Sequence, residues 1–303
     1  MAGVDGVAAY LGELAACCPG FAVREARPAQ QGWDSLTLLV NGDTIVRFAR
    51  RPDVAARLAR EAALLPSLAD ALPLAVPRFT LTCPDPAGGL RFVGYPAISG
   101  EPLSPDTVTP ATETSLAEQL GAFLSALHGF PVAEAVRLGA EGGTAADWRA
   151  ELGRLYGEVR AHVLPRLADG DERARVEALW EGYLADDATF AFAPALIHRD
   201  LGTEHILHDP AGRLTGVIDW GDASIGDPAQ DFIGVYRTLG ADFARRVHAH
   251  YARRVDSTFW RRVRFYAAIV PFFEIIFGSL EGDEGHVAAG LAALRGQMPG
   301  WDV

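Results

Sequence analysis

Near the middle of the chain, His198, Arg199 and Asp200 close a short apolar run and His205 stands five residues after the aspartate. A second apolar run, Gly216-Val217-Ile218, leads into Asp219-Trp220-Gly221. Two such runs joined by a turn read as short strands that set their polar residues at the floor of a cleft. A carboxylate placed there can orient a substrate hydroxyl and accept its proton, the role assigned to Asp200. A second carboxylate, Asp219, beside the His205 imidazole can hold Mg²⁺ against polyphosphate oxygens. The chemistry these types add up to is phosphoryl transfer from a nucleotide to an alcohol. Taken singly, Asp200 reads equally well as a loop cap and His205 as a hydrogen-bonding brace; their spacing to Asp219 favours the site.

The spacing matches the catalytic-loop and metal-binding signature of kinases, with His205 where that signature carries Asn. Upstream, Arg47 in Thr44-Ile45-Val46-Arg47-Phe48-Ala49 stands where a strand lysine would hold the α- and β-phosphates, and Glu61 on the next helix is its natural partner. The alternative makes both surface charges. Gln31-Gly32-Trp33-Asp34-Ser35 lies where a phosphate-covering loop belongs, with Ser35 as a phosphate contact. It holds one glycine, so an ordinary hairpin turn stays open, and no Walker A sequence occurs. Among the later carboxylates, Asp227 before Pro228 reads as a helix N-cap and Asp231 as a brace for the catalytic loop. Asp222 and the tail group Glu274, Glu281, Asp283 and Glu284 are candidates for a cationic acceptor, against a solvated acidic face.

The elements that must position these residues fall into two lobes, 1–98 for nucleotide and 99–303 for catalysis and acceptor. Apolar periodicity predicts a helix at 4–17, strands at 21–27, 36–40 and 44–49, a helix at 54–72, and strands at 77–82 and 90–95. Asn41-Gly42 between the second and third strands is a type I′ turn signal. The segment 95–102 mixes apolar and breaker residues and reads as the linker between lobes. Beyond it, helices are predicted at 114–128, 147–167, 172–184, 229–239 and through 241–295. The fold class is α+β: an antiparallel sheet lobe with one long helix, then a larger, mainly helical lobe.

Composition narrows the partners. Forty-nine per cent hydrophobic and 22% charged residues suit a folded globular chain. The formal charge is −12 and every basic residue besides histidine is arginine, since no lysine occurs. Such an acidic chain disfavours nucleic acid and anionic membrane as partners and favours a cationic small molecule, although the acidity also serves solubility. Cys17, Cys18 and Cys83 show no metal-ligand spacing and read as inert thiols of a reducing cytoplasm. The N-terminus lacks a basic signal region, and no span approaches the roughly 18–20 apolar residues of a membrane helix, the greasiest window, 265–277, being interrupted by Pro271 and Glu274.

With these residues assembled, the chain resembles the aminoglycoside phosphotransferase family. The resemblance runs through Gly32-Trp33-Asp34-Ser35, Ile45-Val46-Arg47-Phe48, Leu124-Ser125-Ala126-Leu127-His128, Ile197-His198-Arg199-Asp200-Leu201 with His205-Ile206-Leu207, and Thr215 to Ala223 with Asp231-Phe232. His205 in place of Asn resembles the aminoglycoside 2″- and macrolide phosphotransferase branches, and Arg47 in place of Lys recurs in related members. The resemblance implies a bilobal protein-kinase-like fold. It also implies transfer of the γ-phosphoryl group of ATP or GTP, with Mg²⁺, to a hydroxyl of a small molecule, most often an antibiotic such as an aminoglycoside, giving resistance. In that frame Asp200 positions the acceptor hydroxyl, Asp219 and His205 hold the metal, Arg47 with Glu61 aligns the nucleotide, and the base docks against Tyr95 to Ile98. A macrolide, a nucleoside antibiotic or a small metabolite would use the same core, and a non-catalytic nucleotide-binding module is the alternative of a different class.

Overall fold

The computed structural model describes residues 4–31 and 35–301. Helix α1 (Val4–Cys17) precedes strands β1 (Ala26–Gln31), β2 (Ser35–Val40) and β3 (Thr44–Ala49), the long helix α2 (Pro52–Ala71), and strands β4 (Leu81–Pro84) and β5 (Leu90–Pro96). The five strands form one antiparallel sheet in the order β1-β2-β3-β5-β4. Asn41 and Gly42 both take positive φ, 55° and 79°, so the β2–β3 turn has the backbone that Asn-Gly favours. Leu36, Leu38, Val40, Val46, Phe48 and Phe92 alternate inward and, with Leu14 of α1, close a small core of their own.

Two strands sit later than their apolar pattern predicts. The first runs through Pro28 because β1 is an edge strand whose register shifts between Pro28 and Gln30, where a missing N–H costs nothing. The fourth begins at Leu81, with the amide of Thr80 already donating to Gly94 of β5 at 2.8 Å; farther back, Ala75 accepts from the amide of Val217 at 2.8 Å and pairs with Gly216 of the other lobe. The reading of three free thiols is also corrected. Cys17 is joined to Cys83 across 66 residues, because the last turn of α1 docks on β4, a contact that spacing along the chain cannot reveal; Cys18 alone is free.

The second lobe begins with β6 (Glu101–Pro102), α3 (Glu113–Gly129), α4 (Val132–Arg137), β7 (Glu141–Gly142), α5 (Ala145–Glu158) and α6 (Gly170–Ala185). The catalytic segment follows on β8 (Ala195–Ile197), β9 (Ile206–His208), β10 (Leu214–Val217) and β11 (Ser224–Gly226). Helices α7 (Ile233–Leu239), α8 (Ala241–Ala249), α9 (Phe259–Glu281) and α10 (Glu284–Gln297) complete it. The helix predicted at 147–167 ends early, passing into a wide turn at Val159–Val163 and a tight one at Leu164–Arg166, where Pro165 has no N–H to continue the ladder. Likewise 229–239 opens as a tight turn, Pro228–Phe232, before α7. The leucines of α2 face this lobe: Leu64, Leu65 and Leu68 belong to its large core with Phe123, Trp220 and Phe272, so α2 is packed between the two.

Helix α9 overturns the expectation that no span is long enough for a membrane. It runs 23 residues through Pro271 and is long and apolar enough, by length and composition, to cross a bilayer. Phe265, Tyr266, Ile269, Phe272 and Ile275 bury its apolar face in the core, and this packing outweighs the roughly 3 kcal/mol that an interior proline costs. Near its start the buried guanidinium of Arg262 donates to Asp227 at 2.6 Å and to Asp256 at 2.7 Å, and the hydroxyl of Tyr266 donates to Asp227 at 2.9 Å. Burial raises the Asp227 pKa and Arg262 opposes it. Asp227 also caps the turn before α7 by accepting from the amide of Ala229 at 3.0 Å, as the Asp-Pro pair predicts.

Candidate active site

Strand β8 delivers His198, Arg199 and Asp200 to the end of the sheet, and the turn they make is fixed by one buried carboxylate. Asp231 accepts from the backbone amides of His198 at 2.7 Å and Arg199 at 2.8 Å, and faces His128 Nε2 at 3.1 Å, whose Nδ1 meets the Tyr251 hydroxyl at 2.7 Å. Asp231, His128 and His198 are all buried, so the brace is a closed polar network inside the core. Arg199 and Asp219 take positive φ, 72° and 65°, a backbone region sparsely used by residues with a Cβ. Strain of this kind persists only where the surroundings over-determine it. At Arg199 the surroundings are Asp231 on its amide, Glu151 of α5 on its guanidinium, and the Trp148 ring 5.2 Å beneath.

The two motif segments are tied to each other by histidines. His198 Nε2 donates to the carbonyl oxygen of Ile218 at 3.0 Å, and burial lowers the His198 pKa, so the ring serves as a neutral link. His205 Nδ1 lies 2.8 Å from the backbone oxygen of Asp200, and that bond fixes the hydrogen on Nδ1. The lone pair of Nε2 is then left toward Asp219 Oδ2, 3.7 Å away. An imidazole nitrogen and a carboxylate oxygen that face one another without a mutual hydrogen bond are a donor pair suited to a shared cation. Asp200 itself is half exposed at the cleft floor. Partial desolvation, with Asp222 and Asp219 nearby, raises its pKa, and His205 and His198 hold it down.

From the other lobe, Arg47 of β3 reaches in. Its Nη1 meets both carboxylate oxygens of Glu61, at 3.0 and 3.2 Å, and its Nη2 meets Asp219 at 3.1 Å. Burial works against the Arg47 charge, but Glu61 and Asp219 outweigh it and its pKa is raised. Glu61 is 2% exposed, so the pair is an internal one and not the surface charges of the alternative reading. A second bridge between the lobes joins Arg57 of α2 to Asp222 at 3.0 Å.

The remaining expected residues fall in three places. Ser35 opens β2 opposite Ala49, buried, its hydroxyl without a partner among the described residues; Gly32, Trp33 and Asp34 of the expected phosphate loop lie outside them. Tyr95 lies in β5, buried against Phe79, and burial, with the Glu61 carboxylate and against the nearby Arg47 guanidinium, pushes its hydroxyl up to about 12. Ile98 is half-buried beside Gly216, where a Cβ would come within 2.7 Å of its side chain. The tail carboxylates are not brought to the cleft. Glu274 pairs with His286, Asp283 caps α10 by accepting from the amides of Gly285 and His286, Glu284 meets Arg166 at 2.9 Å, and Glu281 stays on the exposed end of α9.

A cavity of about 770 Å³ opens beside Asp200 between α5, α7 and α9. Asp222 lines it as expected, together with Glu151, Glu158 and Glu204, which sequence reading passed over. Glu151 and Glu158 are two helical turns apart on α5, so one face of that helix carries both toward the catalytic loop. That seven-residue spacing was the available signal.

Chains of known type share both the sequence and this arrangement. Residues 25–266 match the family model described as the phosphotransferase enzyme family, APH. Viomycin phosphotransferase of Streptomyces vinaceus is 29% identical over 269 residues, 85% of this chain and 89% of that protein. Among solved structures, the GDP and kanamycin complex of an APH(2″) enzyme superposes with a TM-score of 0.89 at 26% identity, over 96% of this chain and 99% of that one. Macrolide 2′-phosphotransferase MphH from Brachybacterium faecium gives 0.74 at 25% identity, over 94% and 97%. With the sheet lobe, the braced catalytic loop and the Arg47–Glu61 pair in place, and with the family model spanning most of its length, the chain belongs to the APH phosphotransferase enzyme family.

Proposed function

We propose that this phosphotransferase moves the γ-phosphoryl group of ATP or GTP to a hydroxyl of a cationic antibiotic, an aminoglycoside first, and thereby gives resistance in the cytoplasm. The observation that carries the reading is the position of Asp200 on the wall of a 770 Å³ cavity that also presents Glu151, Glu158, Glu204 and Asp222, an excess of carboxylates over the guanidiniums of Arg154, Arg199 and Arg237 on the same wall. Carboxylates in that density attract ammonium groups and hold them within reach of one proton acceptor.

The chain's own residues divide the work. Arg47, held by Glu61, cradles the α- and β-phosphates, and its guanidinium can bind two phosphate oxygens at once. Ser35 at the start of β2, and Tyr95 with Ile98, bound the nucleotide end of the cleft. Asp200 accepts a hydrogen bond from the acceptor hydroxyl and takes its proton as the oxygen bonds to the γ-phosphorus and the bond to the β–γ bridging oxygen breaks. His205 Nε2 and Asp219 Oδ2 are the side chains that would hold Mg²⁺. Two protein ligands suit an ion that keeps waters and takes its remaining oxygens from the nucleotide, and bound there it would neutralise charge on the phosphates.

The likeness to viomycin phosphotransferase and to a macrolide phosphotransferase puts viomycin and a macrolide in the test set beside kanamycin. The deciding experiment incubates the protein with each antibiotic and ATP or GTP and reads the mass gain of one phosphoryl group. Transfer to kanamycin or another polyamine that falls by about 10²–10⁴-fold in Asp200→Asn supports the reading. Transfer confined to an uncharged acceptor, or an Asp200→Asn protein with wild-type rate, overturns it.

A further inference from the structure

Behind the catalytic cavity, on the other side of α9, lies a second one of about 510 Å³ between α6, α7, α9 and the C-terminal residues, a volume typical of small-molecule sites. Its chemistry is the reverse of the first. Although the chain carries a formal charge of −12, no Asp or Glu lines this cavity, and Arg261, Arg264 and Arg237 do, the last also lining the catalytic cavity, where it feels the charge of Glu204. Arg261 is neutralised by Asp186 outside the cavity wall. Neither Arg237 nor Arg264 forms an ion pair among the described residues. The rest of the wall is aromatic and small: Tyr183 and Phe265 stack with ring centroids 3.5 Å apart at 8°, Tyr236 and Trp301 close two sides, and Ala267 and Ala268 leave the space open. The buried indole Nε1 of Trp301 has no hydrogen-bond partner among the described residues.

We propose that this cavity is a second ligand site, for a small amphipathic anion: a flat apolar ring bearing one carboxylate, sulfonate or phosphate. The stacked aromatic wall supplies apolar contact area for a ring, and rings pack on such faces in offset or edge geometry. Arg264, an exposed residue of this wall, supplies a guanidinium whose planar donors match an oxyanion bidentately, and Arg237, exposed where the two cavities adjoin, supplies a second. A cation is excluded by the same charges, which separates this site from the carboxylate-lined cavity it adjoins. The site rests on the fold alone and not on the identity of the phosphoryl acceptor.

The test uses 8-anilinonaphthalene-1-sulfonate as a fluorescent probe on the full chain, titrated with and without saturating ATP and Mg²⁺. One equivalent is expected to bind in both conditions. Arg264→Ala, a change at an exposed position away from the catalytic cavity, should weaken binding roughly tenfold, the loss of one charge-assisted hydrogen-bonded contact of about 1.5 kcal/mol. Ala178→Trp, at an exposed position on the α6 wall, should block the mouth and abolish binding. Unchanged melting temperatures of both variants show that the fold is intact. Competition with 1-naphthoate and 1-naphthyl phosphate tells a carboxylate from a phosphate preference, and either displacing the probe supports the site. Displacement by ATP, equal competition by 1-naphthol or 1-naphthylmethylamine, or wild-type binding by both variants overturns it.

Discussion

His205 gives its Nδ1 hydrogen to the backbone oxygen of Asp200, 2.8 Å away, so the proposed metal ligand is oriented by the backbone of the proposed proton acceptor. A shift of either moves the other. The five-residue separation of the two in sequence is what brings the ring back over the loop, through the tight turn Thr203–His205.

Replacing His205 with Ala removes one of the two proposed side-chain ligands and frees the Asp200 carbonyl. The Mg²⁺ concentration for half-maximal rate should rise by at least about tenfold, equivalent to roughly 1.4 kcal/mol, while His205→Asn, which restores an oxygen donor, should recover part of the loss. A metal titration of initial rate reads both; an unchanged metal requirement in the Ala variant would show that His205 only braces the loop.

Glu61→Ala leaves Arg47 in a buried site with Asp219 as its sole carboxylate partner. Removing one side of an internal ion pair typically costs about 3–5 kcal/mol, so the melting temperature should fall clearly. The KM for ATP should rise by tenfold or more while the KM for acceptor holds, since Arg47 touches only the nucleotide in the proposed arrangement. Equal loss on both substrates would mean that the pair supports the lobes and not the phosphates.

Much of this site was legible in the sequence because local patterns carried it. Strand ends deliver Asp200 and Asp219, Asn41-Gly42 fixes a hairpin, and Asp227-Pro228 caps a turn; each needs only neighbours within a few residues. The Arg47–Glu61 pair was also foreseeable, since a strand followed by a helix leaves few geometries. The acceptor side was not. Glu274, Glu281, Asp283 and Glu284 form a dense acidic group along the chain, yet the α9–α10 corner turns them to His286, Arg166 and the α10 cap. Glu151 and Glu158, scattered among arginines on α5, are the ones that face Asp200. Which face of a helix meets a cleft is set by packing between elements far apart in sequence, as is the approach of Cys17 to Cys83.

Gly234 sets how closely α7 approaches the catalytic loop. A Cβ there would lie 2.2 Å from the backbone oxygen of Leu201 and 2.8 Å from the Cα of Gly202, both main-chain atoms that cannot rotate away. Gly234→Ala should therefore push the loop by about an ångström and lower kcat by roughly 10²-fold, although the residue is not one of those proposed to touch nucleotide or hydroxyl. The ratio of kcat to thermal stability is the measurement: a variant with wild-type kcat would show that the loop is set by Asp231 alone.

Asp256 gives a pH test of the α9 anchor. Burial would raise its carboxyl, but hydrogen bonds from Arg262 and Thr258 outweigh that and hold it at about 2, below the ordinary value of 3.8. A carboxyl depressed in the folded state contributes stability at pH values above its unfolded pKa, and that contribution is lost as pH falls through the folded value. Asp256→Asn should accordingly be less stable than wild type by a constant margin from pH 8 to 5, with the margin closing between pH 4 and 2. Urea midpoints across that range check it, and a margin independent of pH would place the effect in packing.

The cation proposed to meet the phosphates, Arg47, is a guanidinium in a chain without a single lysine. Arginine stays protonated at any pH the protein survives and is a poor nucleophile, whereas a lysine in the same place is acylated or trapped as an imine once it loses its proton. Acyl-phosphate nucleotides and aldehyde reagents that label ATP sites through an amine should therefore leave this cleft unmarked even at full occupancy. The same arginine-only composition denies every amine-directed modification a foothold anywhere along the side chains, and leaves the free thiol of Cys18 as the chain's one cysteine nucleophile.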